Sequence, residues 1–301
     1  MNLAPITLFV YNRLDHTCQT VEALKKNLLA PESDLFIFSD APRNTEITQA
    51  VLQVRDYIAN ITGFKSVTII ERPINLGLAN SIIDGVTSVA NQHGQVIVIE
   101  DDLVTSPYFL QYMNDGLNVY EKNDDVASIH GYVYPIDGLP ETFFLRGADC
   151  WGWATWKNRW AMFEADGSKL LSELKRNRLI NRFDFNGAYP YSKMLADQVS
   201  GKNNSWAVRW YASAFLNNKY TLYPGKSLVL NIGTDGSGTH CGETNTFSSQ
   251  LSNKAVGVNA ITVEDNELAL FAIERFFRKQ KVRYIVRAQE LVVNAYRKLV
   301  N

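Results

Sequence analysis

The feature that most constrains the fold is the run from Gln95 to Leu103, in which Val96-Ile97-Val98-Ile99 leads straight into Glu100-Asp101-Asp102. Four β-branched apolar residues without alternation read as a strand buried on both faces, as in the centre of an α/β sheet. Such strands present ligand-binding residues at their carboxyl ends, where the sheet opens into a crevice. Three adjacent carboxylates there repel one another, and burying each uncompensated costs roughly several kcal/mol. A positive charge is expected beside them, and a hard divalent cation with oxygen ligands suits the chemistry. The bland alternative is that the acids only open the next helix, where acids are favoured; Ser106-Pro107 is the better helix start.

The residues before this run repeat a strand–helix alternation. Ile6 to Tyr11 reads as a buried strand with Asn12-Arg13 at its carboxyl end, followed by a helix from Thr17 to Asn27 with Val21, Leu24 and Leu28 on one face. Asp34 to Asp40 is a second strand, and a helix from about Glu46 to Ile61 carries Val51, Val54 and Ile58. Ser66 to Arg72 is a third strand, and Asn75-Leu76-Gly77-Leu78-Ala79-Asn80-Ser81 leads into a third helix. The pattern predicts a parallel, doubly wound sheet with its binding edge at the strand ends. Asn12, Arg13, Asp40, Arg72 and Asp102 would gather on that edge; singly, each is an ordinary loop residue. Gly77 reads as a turn that needs a positive φ. No Gly-x-Gly-x-x-Gly turn and no Gly-x-x-x-x-Gly-Lys-Ser/Thr loop is present, which removes the main support for dinucleotide oxidoreductases and P-loop NTPases.

Four stretches together resemble the inverting, nucleotide-sugar-dependent glycosyltransferases of GT-A fold, in a family 2-like form. They are Pro5 to Arg13, Phe38-Ser39-Asp40, Arg72 to Leu78, and Glu100-Asp101-Asp102 followed by Ser106-Pro107-Tyr108-Phe109. The triple acid is similar to the Glu-Asp-Asp form of the Asp-x-Asp motif in the N-acetylglucosaminyltransferase I group. The resemblance implies an α/β GT-A fold: a mostly parallel sheet flanked by helices, a C-terminal acceptor-side subregion and a helical tail. It implies a nucleotide-binding half over 1–125, an acceptor-binding half over 126–262 and a tail over 263–301. Asp102 would bind Mn2+ or Mg2+, Asp101 would lie near the ribose or metal, and Glu100 would face the donor sugar. Val10, Tyr11, Asn12, Arg13, Asp40, Arg72, Leu76, Gly77 and Asn80 would surround the nucleotide. The chemistry agrees, because a nucleoside diphosphate leaves readily only when its charge is neutralised. An all-oxygen site suits magnesium or manganese, whereas zinc would call for more His or Cys.

The second half is less regular. A helix from about Pro107 to Lys122 precedes a strand at Val126 to Gly131. Between Trp151 and Trp160 fall four of the chain's six tryptophans. Such clusters are commonly core; the other reading is a sugar-stacking wall, and the resemblance implies that Trp151, Gly152, Trp153 and Trp206 line the donor-sugar and acceptor cleft. Asp149 is the first candidate for general base. In the N-acetylglucosaminyltransferase I group an Asp just before a Trp is the base, but Asn204-Ser205 stand before Trp206 here, and neither takes a proton as needed. Asp197 and Asp235 are the other candidates. The polar stretch from Glu164 to Ser200 reads as helical, either an acceptor-side flap or a solvated face. Tyr220 to Leu230 reads as a strand pair broken at Pro224-Gly225. The following glycine-rich loop, Asn231 to His240, offers amides to phosphates, with His240 as a further metal or pyrophosphate ligand.

Between Arg275 and Lys298 eight basic residues face the single acid Glu290, with aromatic and aliphatic residues interleaved. A basic amphipathic helix can lie on an anionic membrane, and the alternative is a helix packed on the core. A net charge of −1 argues against a nucleic-acid partner. Cys18, Cys150 and Cys241, odd in number and scattered, suggest a reducing compartment. With no signal-peptide pattern and no apolar run of the ~20 residues a span needs, the expected location is cytoplasmic, with peripheral contact at the inner membrane face through 275–298. The expected partners are a nucleotide-sugar donor, UDP-linked by resemblance, and a glycan, glycopeptide or lipid-linked acceptor in bacterial surface polysaccharide or glycoprotein assembly. Two other readings are a catalytically silent carbohydrate-binding protein and, more weakly, a sugar nucleotidyltransferase.

Overall fold

The computed structural model describes residues 3–235 and 246–280. In chain order the elements are β1 (Ile6–Val10), α1 (Leu14–Lys25), β2 (Asp34–Ser39), α2 (Thr48–Ile58), β3 (Ser66–Glu71), α3 (Gly77–His93), β4 (Gln95–Glu100), β5 (Leu103–Thr105) and α4 (Phe109–Val119). There follow β6 (Val126–His130), β7 (Thr142–Leu145), β8 (Trp153–Trp156), α5 (Lys157–Trp160), α6 (Gly167–Arg176), α7 (Ile180–Phe183), α8 (Tyr191–Val199), α9 (Trp206–Leu216), β9 (Tyr220–Pro224) and β10 (Val229–Asn231). A last helix, α10, occupies 267–280.

One eight-stranded sheet runs in the order β3-β2-β1-β4-β8-β6-β9-β7. The expected α/β fold, a mostly parallel sheet flanked by helices, is present: β3, β2, β1 and β4 are mutually parallel and β6 runs parallel to β9, while β8 and β7 enter antiparallel. Register does the positioning. Val10 pairs with Ser39, Ser39 with Glu71, and Phe9 with Glu100, so the four parallel strands end together. Whatever follows them in sequence is delivered to one edge. The four apolar residues of β4 are buried, which explains their unbroken run.

Local chemistry shifts several boundaries. The first helix begins a turn before Thr17, because the Arg13 carbonyl accepts both the Thr17 amide (2.9 Å) and its hydroxyl (2.8 Å). It ends at Lys25, so Leu28 lies beyond it and is 59% exposed rather than on the buried face. Tyr220 to Leu230 does not form a strand pair with itself. Gly225 passes so close to the Pro140 carbonyl that a Cβ would come within 1.9 Å; β9 stays in the large sheet, and β10 pairs with β5 in a separate ribbon. The tail packs at least as far as residue 280. Asp265 accepts the Arg146 amide (2.8 Å) and pairs with Arg182 (2.7 Å), while Glu274 accepts from Asn186 (2.6 Å). Among the described residues no helix is long and apolar enough to cross a membrane.

Helix α3 starts at the binding edge under unusual control. Leu76 precedes it and offers no side-chain cap. Asp40, just past β2, supplies one from another part of the chain: its carboxylate accepts the amides of Leu76 (2.9 Å) and Gly77 (2.8 Å), the Asn75 side-chain amide (3.2 Å) and its own neighbour's amide at Ala41 (3.0 Å). Gly77 turns there with φ 72, as its sequence context requires. A buried carboxylate accepting several N–H groups is worth roughly 1.5–3 kcal/mol per bond. Replacing Asp40 with alanine is therefore expected to destabilise the protein by about 2–4 kcal/mol in urea unfolding, and Asp40→Asn by about half that. Unchanged stability in both variants would show that the carboxylate does not hold this turn.

Candidate active site

At the shared strand edge, Arg13 reaches from the end of β1 to the acids that follow β4. One guanidinium nitrogen, Nη2, donates to Asp101 and, at 2.8 Å, to Asp102. Thr20 on α1 donates to the Asp101 carbonyl at 2.8 Å, and the Ile232 amide to the Asp102 carbonyl at 2.9 Å, so the backbone of the acid turn is held from two sides. Burial works against the Arg13 charge, yet the two carboxylates outweigh it and keep the guanidinium more firmly protonated than a free arginine. Burial pushes Asp101 up to about 6, with Arg13 pulling the other way. Glu100 is pushed up to about 8, by burial first and then by its neighbours Asp102 and Asp101. Three carboxylates share one guanidinium, and the cluster is short of positive charge.

That deficit and an all-oxygen donor set fit a hard divalent ion. Among the described residues no three His, Cys, Asp or Glu side chains converge as an all-protein metal cage. Magnesium-type sites commonly use only one or two carboxylates and take the rest from substrate phosphates and water. Asp102 is the carboxylate available for such a site, and His240 lies outside the described residues. Gly233 packs against the same carboxylate: a Cβ there would fall 2.1 Å from Asp102 Oδ2 and 3.1 Å from Arg13 Nη1. The glycine-rich loop thus has a role the sequence did not show, a close backbone approach to the acids. His16, also unanticipated, pairs with Asp235 at 3.2 Å beside this cluster.

The other expected nucleotide contacts divide. Tyr11 and Asn12 are half-buried at the edge, and the Tyr11 hydroxyl accepts the Arg43 amide at 3.2 Å. Val10 is buried, and its carbonyl accepts the Asp40 amide. Asp40 itself corrects the expectation: with both oxygens engaged and only 6% of the residue exposed, it supports the Asn75–Gly77 turn from beneath instead of presenting a free carboxylate to a base. Arg72 packs its guanidinium over the Phe38 ring at 5.1 Å and pairs with Asp84. Asn80 donates back to the Leu76 carbonyl. Ile74 and Leu78, within the same matching stretch, are exposed apolar residues flanking this turn.

The tryptophan cluster resolves mainly into core. Trp153 is fully buried, 5.6 Å from Trp206 and 5.7 Å from both Trp160 and Trp210. Neither Trp153 nor Trp206 lines a cleft, because the pairing of β8 with β4 and β6 turns Trp153 inward against α9. Trp151 differs. Val98 pairs with Trp153, so the antiparallel register carries Trp151 towards Glu100, and its half-buried ring packs on Tyr132 (4.7 Å) and Phe247 (6.4 Å). Gly152, with φ 68, takes the conformation that lets the chain turn between them.

Of the three candidate bases, Asp149 stands apart. It is half-buried, accepts from Tyr134 (3.2 Å) and Tyr223 (2.9 Å), and burial raises its pKa against the pull of those phenols. The adjoining Cys150 thiol is pushed well up by burial first and then by Glu100, Asp149 and Asp102. Asp197 is paired on α8 with Lys193 and Lys202, and the hydrogen bond from Lys193 lowers its pKa, so it corrects to a surface ion pair. Asp235 is engaged with His16. Ser205 caps α9 through the Val208 amide, and Asn204 accepts from Arg209; both serve helix geometry.

No protein-family model matches the chain, and no curated protein matches its sequence. Among solved structures the chain is similar to Staphylococcus aureus TarS 1-349, at 11% identity and TM-score 0.43, over 75% of this chain and 59% of that one. It is similar at the same identity and TM-score to a longer S. aureus TarS structure, of which it covers 36%. It also resembles the mannosyltransferase PcManGT from Pyrobaculum calidifontis, in complex with GDP-Man and Mn2+, at 11% identity and TM-score 0.37, over 70% of this chain and 73% of that one. The chain thus spans less than two thirds of either TarS structure.

Proposed function

We propose that this protein is a metal-dependent glycosyltransferase that moves a sugar from a nucleotide-diphosphate donor, UDP-linked by sequence resemblance, to a hydroxyl of a glycan or glycoconjugate. The observation that carries the reading is the Arg13–Asp101–Asp102 cluster, with Glu100, at the common end of parallel strands. An edge of that kind is where α/β sheets bind nucleotides, and the charge deficit there is suited to a cation–diphosphate pair.

In this reading Asp102 holds Mn2+ or Mg2+, which when bound neutralises charge on the departing diphosphate. Arg13 Nη1, buried and without a partner among the described residues, is a spare donor for a phosphate oxygen. Glu100 and Trp151 bound the space for the donor sugar, and Asp149 removes the proton from the acceptor hydroxyl. The acceptor oxygen forms its bond to the anomeric carbon as the bond to the diphosphate oxygen breaks, with inversion; the proton ends on Asp149 and the electron pair on the diphosphate. Acceptors in bacterial surface polysaccharide or glycoprotein glycan assembly suit this chemistry. A silent sugar-binding protein would retain Trp151 without needing the acid cluster.

The test is thermal unfolding with UDP, GDP, CMP and dTDP, each with and without manganese. A ligand specific for the native state stabilises it by about 2.7 kcal/mol at 100 times its dissociation constant. A manganese-dependent rise in Tm with one nucleotide, absent in Asp102→Ala, is expected; no shift under any condition refutes the proposal. Gly233→Ala is expected to weaken that nucleotide about tenfold or more by calorimetry, roughly 1.4 kcal/mol. The added methyl collides with Asp102 Oδ2 while every charge is retained.

A further inference from the structure

The carboxylate of Asp149 is gripped by two phenols from distant parts of the chain, one on each oxygen. Tyr134, in the loop after β6, donates to Oδ1, and Tyr223, on β9, donates to Oδ2. Both rings are buried, while Asp149 keeps part of its surface open. Each phenol is itself fixed. Tyr223 stacks on Phe143 at 5.6 Å and an interplanar angle of 10°, and its hydroxyl passes through a gap that exists only because residue 147 is glycine. A Cβ on Gly147 would lie 2.2 Å from that hydroxyl oxygen. Tyr134 is wedged against Phe276 (5.6 Å) and Phe277 (4.9 Å) of α10, and its hydroxyl lies 3.4 Å from that of Tyr191.

An ionised carboxylate offers about four lone-pair sites. Tyr134 and Tyr223 occupy one on each oxygen and set the carboxylate plane, and Tyr191 contributes a weaker third phenol to the same carboxylate. Were the tyrosines merely seeking partners for buried hydroxyls, one carboxylate oxygen would have sufficed for both. We propose that Tyr134 and Tyr223 are positioning residues for proton transfer to Asp149, holding its carboxylate in one orientation towards the acceptor hydroxyl. The inference rests on the assignment of Asp149 as base. It also gives α10 a part in the site, since Phe276 and Phe277 hold Tyr134 in place.

The titratable groups around Asp149 are Tyr132, Tyr134, Cys150, Tyr191, Tyr211 and Tyr223. Phenol donors favour the ionised carboxylate, so removing one leaves burial less opposed and raises the pKa of Asp149 further. The base is active when ionised, so the acidic limb of the pH–rate profile moves to higher pH.

The experiment compares wild type, Tyr223→Phe, Tyr134→Phe and Asp149→Asn in manganese-dependent hydrolysis of UDP-sugars, with water as the acceptor. Expected for each phenylalanine variant are a kcat lower by about 10–100-fold, an unchanged donor KM and an acidic limb shifted upward, with Asp149→Asn inactive. The carboxyl 13C resonance assigned by its loss in Asp149→Asn gives a second reading on the protein alone, and should titrate at higher pH in Tyr223→Phe than in wild type. Phenylalanine variants with wild-type kcat and unshifted titration, beside an inactive Asp149→Asn, overturn the positioning role and leave the base intact. An active Asp149→Asn, or a wild type without hydrolysis, overturns the base assignment and the inference with it.

Discussion

A single guanidinium between two carboxylates ties the binding edge together. Arg13 ends β1, Asp101 and Asp102 follow β4, and the two strands are neighbours in parallel register. Without that cation the edge would hold three adjacent acids at the mouth of a buried sheet, where low dielectric strengthens repulsion. With it, three acids still share one guanidinium, and Glu100 is pushed up by burial first and by its neighbours Asp102 and Asp101 second. A cluster left short of positive charge is less stable than a neutral one and is suited to take up a cation.

The surrounding structure fixes the geometry of this cluster at several heights. Asp40 holds the start of α3 from beneath, Thr20 and Ile232 hold the acid turn by its carbonyls, and Gly233 lets a second loop press on Asp102. Beyond β4 the antiparallel insertion of β8 brings the chain just before Trp153, with Trp151, towards the end of β4. The inward tryptophans behind it form a rigid support: Trp153, Trp160, Trp206 and Trp210 join β8, α5 and α9 in one packed unit. Bulky rings that bury large areas are well suited to hold a neighbouring loop still. Most of the tryptophan-rich segment is therefore core, and Trp151 is the one of its four tryptophans that stays half-buried.

Sequence reasoning succeeded where structure is local or periodic. The buried run of β4, the alternation of strands and helices up to residue 100, and the turn at Gly77 all follow from periodicity and backbone conformation, which neighbouring residues decide. Arg13 was legible as an edge residue because it follows a strand. It failed where one side chain's role depends on a distant partner. Asp40 follows a strand as Arg13 does, yet its carboxylate is consumed by backbone amides 36 and 37 residues away. Trp151 and Trp153 are two residues apart, a spacing that would put both on one face of a regular strand, yet the turn at Gly152 (φ 68) just before β8 separates them, leaving Trp153 in the core and Trp151 half-buried. Gly147 and Gly233 carry no local signal at all, since each is required by an atom from elsewhere in the fold.

The sequence by itself determined the α/β architecture, the position of the acids at a strand end and their need for positive charge, because hydrophobic period and charge repulsion act over a few residues. Only the tertiary structure decided which cation meets those acids, that Asp197 is a surface ion pair while Asp149 is held by buried phenols, and which tryptophans are core. Those outcomes depend on sheet order and register, and strands far apart in sequence become neighbours only when the whole sheet is assembled.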